Sequence, residues 1–269
     1  MRTAFWLALL GLISGRCALA QDVWDGVASR ALLVQSGSWG RLSWEADDST
    51  GPGDRTLEGQ LEAVRLYGLT ELTYLRTALH GGTRPVAWWL SAGSLGYDDF
   101  RVSRLTATAF LRPPRSHRVP LGGGIRVVME QLAPRGYAAT RRARLDVLWA
   151  ARLHPDFVLT GALLGLIFRP HSAETGRGGA SLLGALLKIT DKVILVTEFA
   201  KEAAFPGSVR IGFDVAPLHP VRLRVGAANQ PARIAAGIGV RQGAARVDVT
   251  LDRHYALGIS SSISLSISL

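Results

Sequence analysis

Alternation of apolar and polar residues is the clearest pattern in this chain, and it is most regular at the end. In residues 257–269 every odd position is Leu or Ile except Ser261, and every even position is Gly or Ser. Successive side chains of a strand point to opposite faces, so this pattern predicts a strand with one apolar and one hydroxyl face. At ~3.3 Å per residue the strand would be about 40 Å long. Tilted by ~40°, it would cross the ~25 Å apolar band of an outer-membrane barrel.

The same two-faced pattern recurs upstream. In residues 209–215 apolar residues alternate with Arg210 and Asp214, and in residues 221–227 they alternate with Arg222 and Arg224. Turn-forming residues separate the segments. The segments that we predict to be strands are 31–46, 57–65, 86–96, 100–111, 119–131, 138–153, 157–168, 180–189, 193–201, 208–215, 221–228, 232–241, 244–252 and 257–269. This gives about fourteen strands, or twelve if the first two segments are not strands, while residues 66–79 fit a short helix as well as a strand.

Evenly spaced strands joined by tight turns indicate an all-β antiparallel fold. Two architectures fit this pattern. In a transmembrane β-barrel the apolar faces contact lipid and the mixed faces line the lumen. In a secreted β-sandwich the apolar faces pack against each other and the charges face water. The hydrophobic fraction of 48% and the long final strand favour the barrel, which leaves the soluble periplasmic sandwich as the alternative.

One segment breaks the alternation. Phe100 and Val102 share one parity, whereas Leu105, Ala107 and Ala109 share the other. A β-bulge near Ser103–Arg104 would reconcile the two halves.

Residues 1–20 have the features of a cleaved secretory signal peptide. Arg2 precedes an apolar core, and Ala18 and Ala20 frame a cleavage site before Gln21. Cys17, the single cysteine, lies within this segment. We therefore expect a cysteine-free mature protein that is exported by a Sec-type signal, with residues 21–269 forming one barrel domain in the outer membrane.

The net charge of +10 comes mainly from arginine. The arginines occur singly at alternate strand positions rather than in a cluster, so we do not expect binding to nucleic acid. Six tryptophans suit interfacial girdles: Trp24, Trp39, Trp44, Trp88, Trp89 and Trp149.

Four stretches together resemble the FadL-like outer-membrane barrels, and within them the PorV/PorQ-type barrels of type IX secretion. They are Glu198-x-x-Lys201 followed by residues 209–213, then residues 221–226, Pro231 followed by 236–240, and 254–258. The FadL resemblance implies a channel or binder for a small hydrophobic molecule. The PorV/PorQ resemblance implies instead a structural or shuttle component of a secretion or envelope complex. The expected partners are outer-membrane lipid and either a small hydrophobic ligand or secretion-complex subunits.

The sequence offers little catalytic chemistry. None of its six histidines stands in a metal-ligand pair, and no Gly-x-Ser-x-Gly elbow occurs. We therefore expect that the protein is not an enzyme and that it binds no metal and no cofactor. The candidate functional residues are those that strand parity places in the lumen, where they would line a polar path or pair with one another. They are Arg126, Glu130, Arg144, Asp146, Glu198, Arg210, Asp214, Arg222, Arg224, Arg233, Arg246, Asp248, Asp252, Ser260, Ser262 and Ser264.

Overall fold

The chain folds into a closed antiparallel barrel of fourteen strands in a computed structural model, which describes residues 56–69, 72–83, 85–97, 99–111, 121–166, 180–202 and 206–268. Each strand pairs with its sequence neighbours, and β14 pairs with β1 to close the sheet. The strands are β1 (Thr56–Arg65), β2 (Thr73–Thr83), β3 (Val86–Tyr97), β4 (Phe100–Leu111), β5 (Leu121–Pro134), β6 (Thr140–His154), β7 (Phe157–Leu166), β8 (Ala180–Thr190), β9 (Val193–Glu202), β10 (Ser208–Leu218), β11 (Val221–Asn229), β12 (Ala232–Gln242), β13 (Ala245–His254) and β14 (Gly258–Ser268).

The predicted all-β barrel of about fourteen strands is confirmed, but one strand comes from a different segment. The stretch 66–79, which fitted a helix or a strand, holds a 3-10 turn at Leu66–Gly68 and most of β2. The predicted strand at 31–46 and the predicted signal peptide at 1–20 lie outside the described residues. In the part of the chain that the structure describes, no helix is long and apolar enough to cross a membrane.

The outer surface of the barrel is apolar. Leu61, Leu75, Ile125 and Ile263 lie on it and are each more than half exposed. The inner face carries the charged and hydroxyl side chains, most of them buried. The soluble-sandwich alternative is therefore wrong, because a sandwich buries its apolar faces between two sheets. Closure also leaves no unpaired sheet edge, which is what a lipid environment requires of a β structure.

The bulge predicted near Ser103–Arg104 is absent. Strand β4 pairs with β3 and with β5 in unbroken register from Phe100 to Leu111. Phe100 and Val102 therefore face inward, and Arg101 and Ser103 face outward. The apolar inner residues are accommodated because Val102 packs inside the barrel against a buried cluster that includes Val64, Tyr74 and Leu95.

The two ends of the barrel differ. One end, which we call the turn rim, carries the β2–β3, β4–β5, β6–β7, β8–β9, β10–β11 and β12–β13 connections; all but the β4–β5 connection are two residues long. The opposite end, the loop rim, carries the remaining connections, including residues 66–72 and 167–179. Short turns at one end and longer loops at the other are typical of outer-membrane barrels.

Candidate functional site in the barrel interior

The interior is divided into two sectors. The polar sector is the inner face of β9–β14 with β1 and β2, where ion pairs and serines dominate. The apolar sector is the inner face of β7 and β8 with the part of β6 next to the β6–β7 turn, where a buried cluster of Leu148, Ala150, Val158, Ala162, Leu164 and Ala180 extends to Ala87 and Phe110 on β3 and β4. This division departs from the uniformly polar interior of barrels that carry a water-filled channel.

The centre of the polar sector is Arg224 on β11. Its Nε lies 3.4 Å from an Asp214 oxygen on β10, and its Nη1 lies 2.7 Å from Asp248 Oδ1 on β13. All three side chains are almost fully buried. Arg246 adds a contact of 2.9 Å to Asp248, and Arg222 one of 3.5 Å to Asp214. We call these five residues the Arg224 cluster; it joins three strands through paired charges, as burial of charge requires.

Two glycines of β12 allow Arg224 to reach a strand that is not its neighbour. Gly237 lies opposite Arg224, and Gly239 lies opposite Asp248. A Cβ on Gly237 would come within 2.9 Å of Thr250 Oγ1, and one on Gly239 would collide with the Asp248 carboxylate. The glycines therefore leave a bare backbone across which the arginine and the aspartate meet.

A second ionic centre lies on β5 and β6. Arg126 Nε approaches Asp146 Oδ2 to 2.6 Å, and Arg144 Nε lies 3.5 Å from Asp146 Oδ1. The fully buried Asp146 also accepts a hydrogen bond of 2.9 Å from the Gly165 backbone N–H. Gly165 has φ of +78° at a shift in the β6–β7 register. A residue without Cβ adopts this backbone readily, so the glycine lets the bulge direct its N–H at the carboxylate.

The remaining predicted charges also lie on the inner face. Arg210 pairs with Glu198 at 3.0 Å, and Arg233 pairs with Asp252. Glu130 pairs with Arg104, which was not among the predicted residues, at 2.7 Å. All of the sixteen predicted side chains therefore face inward, thirteen charged ones in separate groups of ion pairs and the three serines on β14. They do not converge on one site.

Strands β1–β3 supply a further interior group that sequence reasoning missed. Glu62 pairs with Arg76 at 3.4 Å, and Glu58 lies 3.1 Å from His80 Nε2. The His80 ring stacks on Trp89 at 5.1 Å, and the Arg76 guanidinium lies 5.2 Å from the Trp89 ring centre. Trp89 is thus an interior residue and not part of a girdle. The alternating Glu58, Gln60 and Glu62 of β1 gave a usable signal, but β2 was not recognised as a strand.

The serines of β14 form the wall between the Arg224 cluster and β1. Ser260 and Ser264 are buried, and Ser262 is half-buried. Ser264 lies between Asp248 and Glu62 in the register. Ser260 Oγ accepts a hydrogen bond of 3.1 Å from the Tyr67 backbone N–H, which ties β14 to the 3-10 turn.

Titration and metal binding add little to this site. At the turn rim, outside the membrane-spanning strands, a hydrogen bond from Lys188 and its positive charge hold the pKa of Asp191 below its ordinary value. Among the described residues, no group of three or more His, Cys, Asp or Glu side chains could hold a metal ion.

A closed sheet with a lipid-compatible outer surface and a charged interior defines a transmembrane β-barrel. No family model matches the chain, and no curated protein matches its sequence. Among solved structures, the outer membrane protein Omp33 of Acinetobacter baumannii matches with a TM-score of 0.56 at 9% identity, over 82% of this chain and 100% of that one. The CymD monoaromatic hydrocarbon channel matches with a TM-score of 0.56 at 12% identity, over 81% of this chain and 88% of that one. At such identities the similarity is one of fold.

Proposed function

We propose that this protein is an outer-membrane barrel that binds or passes a small, mainly hydrophobic molecule, in the manner of FadL-like channels. The observation that carries the proposal is the apolar sector. Leu182 and Leu186 on β8 pack against its buried cluster and are themselves only partly buried. A small molecule that contacts these leucines would bury apolar surface against the barrel wall, which favours binding by ~25 cal/mol per Å² of buried surface.

The polar sector limits what else such a cargo can carry. Arg222, whose side chain is 37% exposed, is the most accessible arginine of the Arg224 cluster. A ring or short alkyl chain would therefore lie on β6–β8, and a small polar group of the same molecule would face the arginines across the lumen. The molecule named for the CymD channel, a monoaromatic hydrocarbon, has the apolar chemistry that fits the apolar half of this description.

Accumulation of radiolabelled toluene by Gram-negative cells that produce the protein tests the proposal. We expect faster accumulation than in cells without the protein, and a clear reduction by Leu186→Gln, which places an amide on the apolar sector. Ser262→Gln is the matched control, because it adds the same side chain to the inner face of the polar sector. Heat-modifiable electrophoretic mobility of each variant verifies that the barrel is folded. Equal accumulation in producing and non-producing cells would exclude the proposal.

A structural role in a secretion or envelope complex, of the PorV/PorQ type, is the second candidate. The Arg224 cluster favours it, because buried ion pairs that join β10, β11 and β13 brace the wall rather than open a path. This role predicts a stable complex after extraction in mild detergent. A barrel that elutes alone from size-exclusion chromatography, and that still takes up toluene, would rule out the structural role in favour of transport.

A further inference from the structure

The charged residues on the outward face of the barrel all have the same sign. In the fourteen described strands, every charged residue with an outward-facing position is a cation. Each lies within the last two residues of its strand at the loop rim; these residues are Arg65, Arg101, Arg141, Lys201 and Arg253. All five are exposed. We call them the basic collar.

The collar runs around the whole barrel, because its members lie on β1, β4, β6, β9 and β13, two to four strands apart in the closed sheet. Arg65 pairs with Thr73 of β2, the following Tyr74 pairs with Leu95 of β3, and Gly96 of β3 pairs with Arg101 of β4. Arg65 and Arg101 therefore belong to one row across four strands. Arg253 and Arg141 flank this row on β13 and β6. Neighbouring strands lie ~4.8 Å apart, so Arg65 and Arg101 are about 14 Å apart along the row.

Several outward residues near these cations are small or polar, whereas Ile259 lies directly opposite Arg253. Besides Thr73 and Gly96, the outward positions include Ser103 and Ser261, and Ser261 pairs with Arg65. Toward the turn rim the same faces continue as Leu75, Leu105 and Ile263. On β1–β4 the apolar belt therefore stops at Arg65 and Arg101, and the small neighbours of these two arginines leave their guanidinium groups room to approach a ligand.

No carboxylate of the described residues pairs with Arg65, Arg101, Arg141 or Arg253. Contrasting pairs occur nearby, since Arg135 in the β5–β6 turn pairs with Asp99 at 2.8 Å. Unpaired arginines at the edge of an apolar belt extend their head groups toward the membrane interface. At the interface, each basic side chain increases the affinity for anionic headgroups by about fivefold.

We propose that the basic collar binds the anionic, phosphate-bearing headgroups of lipids in the leaflet at the loop rim. Planar guanidinium groups suit phosphate oxygens, which they can engage through two parallel hydrogen bonds. The loop rim faces the cell exterior if the barrel follows the usual orientation of outer-membrane proteins. None of the collar residues faces the lumen, so this interaction is independent of any cargo.

Lipid retention by the full-length protein in detergent tests the proposal. Native mass spectrometry would count phosphatidylglycerol and phosphatidylcholine molecules that remain bound after exchange from an equimolar mixture. We expect at least about a tenfold preference for phosphatidylglycerol. The variant Arg65→Gln/Arg101→Gln/Arg141→Gln/Arg253→Gln should lose that preference.

The matched control replaces the same four arginines by lysine, which keeps the charge and should keep most of the preference. Heat-modifiable mobility checks that both variants are folded. Equal retention of the two lipids by the wild type, or an unchanged preference in the glutamine variant, would overturn the proposal. Displacement of phosphatidylglycerol by millimolar inorganic phosphate would also overturn it, because the collar would then be a site for the free anion.

Discussion

Arginine at Leu265 should destabilise the protein strongly if the outer face of the barrel contacts lipid. Leu265 lies on the outward face of β14, between Leu61 of β1 and Val247 of β13, and all three side chains are exposed. It is four residues from Ser261 at the loop rim, ~13 Å along the strand, and therefore near the middle of the apolar belt. Arginine on the lipid face of a barrel costs ~2–4 kcal/mol near the bilayer midplane.

Ser261→Arg is the matched control for Leu265→Arg, because it introduces the same side chain on the same face of the same strand. At the interface the cost falls to ~0–1 kcal/mol. The difference of about 2 kcal/mol between the variants corresponds to a roughly 30-fold difference in the folding equilibrium. Urea unfolding in phospholipid vesicles, followed by tryptophan fluorescence, would measure it. Equal unfolding midpoints for the two variants would refute the placement of this face in lipid.

Two further predictions concern the interior. Arg224→Met removes the buried partner that Asp214 and Asp248 share and leaves each carboxylate with one more exposed arginine, so it should lower the free energy of unfolding by ~3 kcal/mol. Arg222→Met, at a more exposed position, should cost less than ~1 kcal/mol, and similar urea midpoints for the two variants would contradict the buried network. Gly165→Ala should cost ~1–2 kcal/mol because of its positive φ, and Gly123→Ala, whose Cβ would meet only an atom 3.8 Å away, should shift the same midpoint by less than ~0.5 kcal/mol.

The strands whose faces are chemically distinct were predictable from sequence. In β10–β13 the outward residues are almost all aliphatic or aromatic, and the inward ones are mainly Arg, Asp, Ser, Thr, His, Ala or Gly. Lipid imposes this difference at every second position of a strand, so no distant contact is needed to detect it. Burial confirms the pattern at residue level, since Asp214 and Asp248 are buried while Val209 and Val249 are exposed.

Strand β2 shows why alternation does not identify every strand of the barrel. Tyr74 and Ala78 face inward and are buried, whereas Leu75 and Leu79 face outward. Apolar residues therefore occur in adjacent pairs four positions apart, which imitates the spacing of a helix. The cause is the small internal core, where Tyr74 contacts residues of β1 and β3. Once part of the interior is apolar, alternation no longer separates the two faces.

The ion-pair partners of the predicted charged residues could not be predicted from the sequence, for a different reason. Asp214 stands directly opposite Arg224, so strand adjacency alone makes that contact plausible. The contact between Arg224 and Asp248 depends on the closed register of three strands and on the glycines of β12 between them. Alternation places a residue on a face, but it does not determine which residues two strands away can be reached.

The irregular positions were the most informative part of the pattern. Ser261 interrupted the apolar set of the last strand, and the change of parity between Val102 and Leu105 suggested a bulge. The residues that broke the expected pattern were thus Ser261, Arg101 and Ser103. In the barrel these are outward residues beside the loop rim, where lipid tails give way to headgroups and polar side chains are favoured. A polar residue at an outward position therefore reports depth in the membrane rather than an error in register. Three apparent defects on two strands, β4 and β14, thus mark one edge of the apolar belt, and the basic collar lies along that edge.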